Sequence, residues 1–173
     1  MIGCGRVTVD PARTAAVLTI SDRVSAGTAT DQTGPHIVEC LQQWGFDNVE
    51  HAVVADGDPV AQQLRRWVDY QVDLVITTGG TGLGPRDLTA EQTQQVVDRI
   101  VPGISEYLRI SALPTVPTAA LSRGIAGVAR TTLIVNLPGS LNAVRDGMAL
   151  LEAVVPHALD QISGGDHERK NTH

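Results

Sequence analysis

Strand-like and helix-like patterns alternate along this chain, and the alternation constrains the fold more than any other feature of the sequence. Strands are predicted at residues 15–20, which read as a buried strand, and at 49–55, 73–78 and 131–136, and a further short strand can precede the last one near 125–128. Helices are predicted at residues 34–45, 58–70, 89–100, 104–112 and 141–162. Because crossover helices connect parallel strands, this order predicts a three-layer α/β fold with a mostly parallel sheet and helices on both faces.

The sequence predicts one domain. Its 173 residues are 42% hydrophobic, which suits a single packed core of ordinary domain size. No linker, repeat or low-complexity tract divides it. We expect the domain to cover residues 15–164, with a flexible N-terminal arm over 1–14 and a flexible C-terminal tail over 165–173.

Composition limits the partners, the chemistry and the compartment of the protein. The net charge of −6 and the pI near 5.2 argue against a nucleic-acid-binding surface, which needs a basic stripe. No segment approaches the ~18 consecutive apolar residues of a membrane span. Lys170 is the one lysine, so a mechanism that needs a lysine in the body of the domain is excluded. Cys4 and Cys40 show neither a CxxC motif nor zinc-ligand spacing, which predicts two free thiols and a cytoplasmic location.

Polar residues and glycines follow each of the four main predicted strands. They are Ser21 and Asp22, then Asp56 and Asp58, then the loop that begins at Gly79, and finally Asn136, Pro138, Gly139 and Ser140. Ordinary turns account for one or two such groups, but poorly for all four. Because ligands bind beyond the carboxyl ends of strands in an open parallel sheet, we expect a binding site at this edge.

The loop TTGGTGLGPRD, residues 77–87, is the most informative segment. Its alternating glycines do not fit the Rossmann fingerprint, and Pro85 and Arg86 stand where a Walker A motif needs Lys and Ser or Thr. Glycines let the backbone approach a ligand closely and expose N–H groups to an anion, and the following helix adds its positive end. The loop is therefore a candidate phosphate cradle, although composition alone favours a tight strand-to-helix connection equally.

Two aspartates near this loop favour metal-assisted phosphate chemistry. Asp56 and Asp87 are predicted to meet at the sheet edge, and Mg²⁺ binds one or two carboxylates together with phosphate oxygens. Solvated turn acids are the alternative for both, and Asp58 suits a helix N-cap. Arg86 can bind phosphate as a planar fork or form a surface ion pair.

Five segments of the sequence resemble a known family. The strings LTISDR, DQTGP, TTGGTGLGPRDLTAEQT, PTAALSRGIAGV and LIVNLPGSLNAVRDGM are similar to those of the MoaB/Mog family of molybdenum-cofactor biosynthesis proteins, and to the G domains of gephyrin and its plant counterpart. The resemblance runs from about residue 17 to residue 161. It implies a homotrimer that binds molybdopterin and ATP and needs Mg²⁺. The implied reaction transfers AMP to the phosphate of molybdopterin, releases pyrophosphate, and leaves a product for hand-over to a molybdate-insertion protein.

The resemblance also implies roles for individual residues. Asp56 and Asp87 match two aspartates on which activity depends, so both are expected to bind the metal and, with Arg86, to be catalytic. The residues expected to bind nucleotide or pterin are Ser21, Asp22, Asp31, Gly79, Gly80, Thr81, Gly82, Ser122, Asn136, Pro138, Gly139 and Ser140.

Three other functions stay open at this point. A non-catalytic molybdopterin-binding protein would keep the binding residues without turnover. A trimeric scaffold and a CinA-type domain that acts on nucleotide pyrophosphates are the others. The two aspartates favour the transferase, since binding a phosphorylated pterin gives no evident reason to retain acids in the site.

Overall fold

A six-stranded sheet forms the centre of the described chain. The computed structural model describes residues 9–10 and 12–164, and its strands are β1 (Thr14–Ile20), β2 (Asn48–Val54), β3 (Leu74–Thr78), β4 (Arg99–Ile100), β5 (Ala126–Ala129) and β6 (Thr132–Leu137). The strand order is β2-β1-β3-β6-β5-β4. The four strands from β2 to β6 in that order are parallel, whereas β5 runs antiparallel to both β6 and β4. The predicted α/β fold with a mostly parallel sheet is confirmed.

The described residues also form seven α-helices and one 3-10 helix, which lie between or after these strands. They are α1 (Asp22–Ser25), α2 (Gly34–Gln43), α3 (Asp58–Asp69), α4 (Thr89–Gln94), α5 (Pro102–Ala112), the 3-10 helix (Pro117–Leu121), α6 (Leu141–Leu151) and α7 (Val155–Ile162).

Apolar side chains cover both faces of the sheet, because successive strand residues point to opposite sides. In β1, Val17 packs into one core and Leu18 into the other. Helices α2, α5, α6 and α7 contribute buried residues to the first core, and α3 does so to the second, where Trp67 is fully buried. This arrangement fixes the sheet between two helical layers and leaves the carboxyl ends of its parallel strands available for a site.

The predicted helix over residues 89–100 is too long. Helix α4 ends at Gln94, and Arg99–Ile100 forms strand β4. The backbone N–H groups on either side of this strand, those of Asp98 and Val101, donate to carbonyl oxygens of β5. Pairing with a strand that lies far along the chain has overridden the local helical spacing.

The predicted helix over residues 141–162 is two helices. Helix α6 ends at Leu151 and α7 begins at Val155, with Pro156 in its first turn. A proline has no N–H to donate and its ring clashes with the carbonyl four residues earlier, so it is excluded from the interior of one continuous helix. Because the first turn lacks intrahelical N–H partners anyway, Pro156 is compatible with the start of α7.

The N-caps of α3 and α4 differ from the expected cap at Asp58 and from a side-chain cap at Thr89, the first residue of the predicted helix 89–100. Gly57, with φ of 103°, is the N-cap of α3, which places Asp58 inside the first turn. Leu88 is the N-cap position of α4, and Thr89 begins the helix without a side-chain cap. The carboxylate of Asp58 still favours its helix, since acids in a first turn complement the helix dipole.

The described residues before β1, 9–10 and 12–13, contact the body of the domain. Val9 is buried, and its N–H donates to the carbonyl oxygen of Trp44 at 3.0 Å. Arg13 pairs with Asp160 of α7 at 2.7 Å. The rest of the predicted arm, residues 1–8 and 11, and the predicted tail, residues 165–173, lie outside the described residues.

Cys40 corrects one prediction. The sequence predicts a free thiol there, whereas Cys40 is disulfide-bonded in the structure. Cys40 lies on the buried face of α2. Free thiols therefore no longer support the expected cytoplasmic location. Among the described residues, no helix has the length and apolarity to cross a membrane.

Candidate active site

A cavity of about 570 Å³ opens at the carboxyl ends of β1, β2, β3 and β6. This is the edge at which the sequence predicts a site. Of the predicted site residues, those that line the cavity are Ser21, Asp22, Asp31, Asp56, Gly79, Gly80, Arg86, Asp87 and Gly139. The parallel sheet therefore brings together residues that lie more than 100 positions apart, from Ser21 to Gly139.

Two consecutive glycines shape the first turn of the loop after β3. Gly79 and Gly80 have φ of 101° and 64°, a region that side chains rarely adopt. A Cβ on Gly79 would lie 2.2 Å from the carbonyl oxygen of Ile20. A Cβ on Gly80 would lie 2.1 Å from Oγ1 of Thr89 and 2.2 Å from Oδ2 of Asp56. Both glycines are thus required for the loop to pass this close to β1 and to the Asp56 carboxylate.

The carboxylate of Asp56 is fixed by two backbone groups. Its Oδ1 accepts hydrogen bonds from the N–H of Gly57 at 2.7 Å and the N–H of Leu88 at 3.0 Å. Its own N–H donates to Oδ1 of Asp22 at 3.2 Å. On the other side of the loop, Oδ2 of Asp87 accepts the N–H of Gly84 at 2.9 Å.

These three acids repel one another electrostatically. Burial raises the pKa of Asp56 above its ordinary value, and the negative charges of Asp87 and Asp22 raise it further. The hydrogen bonds from Leu88 and Gly57 oppose this rise only in part. The ionised form of Asp56 is therefore less favourable in the protein alone than in water, and a cation that enters the cavity would stabilise it.

The donor set fits Mg²⁺. Carboxylate oxygens are the ligands this ion prefers, and Asp56 and Asp87 supply them at the mouth of a polar cavity. Across the described part of the chain, no group of three or more His, Cys, Asp or Glu side chains could hold a metal by itself.

Arg86 provides positive charge at the rim of the cavity. Its side chain is 83% exposed and its Nη1 lies 3.1 Å from Oδ2 of Asp22. An ion pair this exposed contributes little to stability, on the order of 0–1 kcal/mol. Breaking this ion pair therefore costs little free energy, and Arg86 can exchange the carboxylate of Asp22 for a phosphate oxygen.

Asp31 shapes the opposite wall. Its Oδ1 accepts the N–H groups of Thr33 and Gly34, both at 3.0 Å, and its Oδ2 accepts the hydroxyl of Thr19 at 2.6 Å. His51 Nε2 lies 3.2 Å from the same Oδ2. Burial acts to raise the pKa of Asp31, but hydrogen bonds from Thr19, Gly34 and Thr33 outweigh it and the pKa is lowered. Both oxygens of Asp31 are engaged, so it holds the start of α2 in place at the cavity wall.

Six of the predicted binding residues do not line the cavity: Thr81, Gly82, Ser122, Asn136, Pro138 and Ser140. Asn136 is buried, and its amide nitrogen donates to the hydroxyls of Thr77 at 2.9 Å and Thr93 at 3.0 Å. Ser140 caps α6 through the N–H of Ala143. These contacts support the loops around the cavity, and ligand contacts by the six residues stay predictions.

Comparison with known proteins identifies the family. A family model described as a probable molybdopterin binding domain matches residues 16–157.

The chain belongs to this molybdopterin-binding domain family.

Individual relatives support the same family assignment. A molybdopterin adenylyltransferase of Helicobacter pylori is 40% identical over 152 residues, which are 86% of each chain. The structure of a molybdopterin biosynthesis Mog protein from Mycobacterium ulcerans has 52% sequence identity and a TM-score of 0.85, covering 90% of this chain and 99% of that one. A molybdenum cofactor biosynthesis bifunctional protein of Chlorobaculum tepidum is 37% identical over 88% of this chain, but the match covers 49% of that relative. The resemblance to the MoaB/Mog proteins is thus confirmed.

The molybdopterin-binding domain contains site residues that the sequence did not indicate. Thr19, Gln32 and Thr78 line the cavity. Thr19 and Thr78 had a signal, since each is a polar residue near the carboxyl end of a buried strand. Arg123 had none. It lies 32 or more positions from the loop residues it contacts, and only the folded chain brings them together.

Proposed function

We propose that the protein transfers AMP from ATP to the phosphate of molybdopterin, giving adenylylated molybdopterin and pyrophosphate. A phosphate oxygen of the pterin attacks the α-phosphorus of ATP, and the bond from that phosphorus to the bridging oxygen of the β-phosphate breaks. The pterin phosphate is itself the nucleophile, so the reaction needs no nucleophilic side chain from the protein.

One observation carries this proposal. Asp22, Asp56 and Asp87 surround a glycine loop in one cavity, and the pKa of Asp56 is raised by burial and by its two neighbours. A site that only bound a phosphorylated pterin would be weakened by three acids, because like charges repel. In a site that binds two phosphate-bearing substrates together with Mg²⁺, the three acids are favourable, because they attract the cation. The adenylyltransferase relative of Helicobacter pylori supports the same reaction.

The residues of the chain have separate tasks in this reaction. Asp56 and Asp87 would hold Mg²⁺, which supplies neutralisation of phosphate charge when it is bound. The backbone N–H groups of the glycine loop and the guanidinium of Arg86 hold phosphate oxygens in line for attack. The loop before α2, fixed by Asp31, closes the opposite side of the cavity. Catalysis therefore rests on positioning and charge compensation rather than on a covalent intermediate with the protein.

The assay combines purified protein, ATP, Mg²⁺ and molybdopterin, with adenylylated pterin and pyrophosphate as readouts. Asp87→Asn retains an oxygen for the N–H of Gly84 but removes the charge, and turnover should fall by about 100-fold or more. Binding of molybdopterin, measured by calorimetry, should change little. Asp69→Asn is the matched control, because Asp69, the last residue of α3, is an exposed acid that pairs with Arg130. Wild-type protein that binds the pterin but releases no pyrophosphate would show that the protein only binds it.

Assembly and pathway position form part of the same proposal. The outer side of α5 and the following turn expose large apolar side chains, at Tyr107, Ile110, Leu113, Val116 and Leu121, which support a homotrimer in which this surface is covered. Hand-over of the product to a molybdate-insertion protein is supported by the bifunctional relative, in which the matched region is about half of a longer chain. We further propose a cytoplasmic location, where ATP is available.

A further inference from the structure

Arg123 contacts both limbs of the glycine loop. Its backbone N–H donates to the carbonyl oxygen of Thr81 at 2.9 Å, and its Nε–H donates to that of Gly82 at 2.7 Å. Its Nη2 donates to the carbonyl oxygen of Asp87, and its Nη1 pairs with the carboxylate of Glu91 in α4. One planar guanidinium thus connects the start of the loop, its end and the helix that follows.

The contact with Asp87 reaches the acid cluster through a single peptide group. In a trans peptide, the carbonyl of one residue and the N–H of the next point in opposite directions. The carbonyl of Asp87 accepts from Arg123, while the N–H of Leu88 donates to Oδ1 of Asp56 at 3.0 Å. The Asp87–Leu88 peptide therefore lies between Arg123 and Asp56, and its orientation is set by the guanidinium.

A second arginine supports the turn that carries Arg123. Arg109 of α5 donates from Nη1 to the carbonyl oxygen of Gly124 at 2.9 Å and to that of Ser122 at 3.4 Å. The backbone on both sides of Arg123 is thus anchored to a helix. This anchoring makes Arg123 a rigid contact for the loop, in spite of its partly exposed side chain.

We propose that Arg123 is a positioning residue: it holds the glycine loop, and Asp56 through the Asp87–Leu88 peptide, in the arrangement that receives the phosphates of ATP. This inference rests on the proposed transfer reaction. Arg123 does not line the cavity, so its effect on the reaction passes through the loop. A loss of Arg123 should accordingly impair the binding of ATP more than that of molybdopterin.

Arg123→Lys tests this, because lysine keeps the charge but has no planar fork for several carbonyl oxygens. Two readouts are needed: hydrogen exchange of the Leu88 amide, which requires no activity, and steady-state kinetics. We expect exchange at Leu88 and the KM for ATP each to rise by about tenfold, as for the loss of one hydrogen bond to a charged group. The KM for molybdopterin should stay within about twofold. Arg130→Lys, which alters an exposed ion pair with Asp69, is the matched control.

The outcomes distinguish a failure of the positioning role of Arg123 from a failure of the proposed transfer reaction. Unchanged exchange at Leu88 overturns the positioning role, and so does faster exchange with an unaltered KM for ATP. A wild-type protein without turnover overturns the transfer reaction, while the exchange readout still decides whether Arg123 holds the loop. Should Arg123→Lys not fold, Glu91→Gln removes the carboxylate facing Nη1 and keeps the carbonyl contacts. It should raise exchange at Leu88 by about twofold to threefold, and no rise refutes the proposal.

Discussion

Gly80 offers a direct test of how the loop holds Asp56. In Gly80→Ala, the new methyl would fall 2.1 Å from Oγ1 of Thr89 and 2.2 Å from Oδ2 of Asp56, in a backbone with φ of 64°. The left-handed conformation costs about 1–2 kcal/mol for a residue with a Cβ. Forcing extra atoms into a packed site costs a further ~1–3 kcal/mol. Since Asp56 must move to make room, turnover should fall by about 100-fold, the effect of a shift near 1 Å.

Gly27→Ala separates these two costs. Gly27 has φ of 71°, and an added methyl there meets no described atom within 4 Å. Urea denaturation of both variants should show Gly80→Ala to be less stable than Gly27→Ala by the packing cost alone, about 1–3 kcal/mol. Equal stabilities would refute the steric argument. Retained turnover in a folded Gly80→Ala protein would show that the reaction tolerates displacement of Asp56.

Two further predictions concern the acid cluster and the exposed surface of α5. The raised pKa of Asp56 means that the folded state holds its proton more tightly than the unfolded state, so the contribution of Asp56 to the unfolding free energy should fall as pH rises above 3.8 in the absence of ligands. Asp56→Asn should remove this loss, and a urea-denaturation series across pH tests it; identical pH profiles would contradict the assignment. Light scattering should give three times the mass of the chain, and Ile110→Asp should shift it towards the monomer, whereas a wild-type monomer excludes the trimer.

The fold was predictable because the central strands β1, β3 and β6 are buried on both sides and therefore read as apolar runs. Residues 15–20 and 73–78 correspond closely to β1 and β3 for this reason. The errors occur where distant contacts decide. Strand β4 forms because it pairs with β5, and the flanking residues Asp98 and Val101 also donate hydrogen bonds to β5. The local sequence pattern does not indicate this pairing. The division between α6 and α7 had a signal in Pro156, which is incompatible with a continuous helix.

The site was predictable to the extent that strand ends define it. Ser21, Asp56 and Gly79 each follow a strand directly, so the topology alone placed them at one edge. Asn136 also follows this logic, but its side chain points into the protein and bonds Thr77. The role of Arg123 had to be found in the structure, since its contacts with the loop are to backbone carbonyl oxygens, which carry no sequence signature.

The contacts that shape the cavity also determine when it can exist during folding. Thr78 and Pro138 are joined across 60 positions, Arg123 and Gly82 across 41, and Leu88 and Asp56 across 32. Such long loops close late, because their chain entropy is lost before the contacts form. The complete lining of the cavity, from Thr19 to Leu141, therefore comes together late in folding. A ligand that contacts this complete lining stabilises the native state relative to partly folded forms.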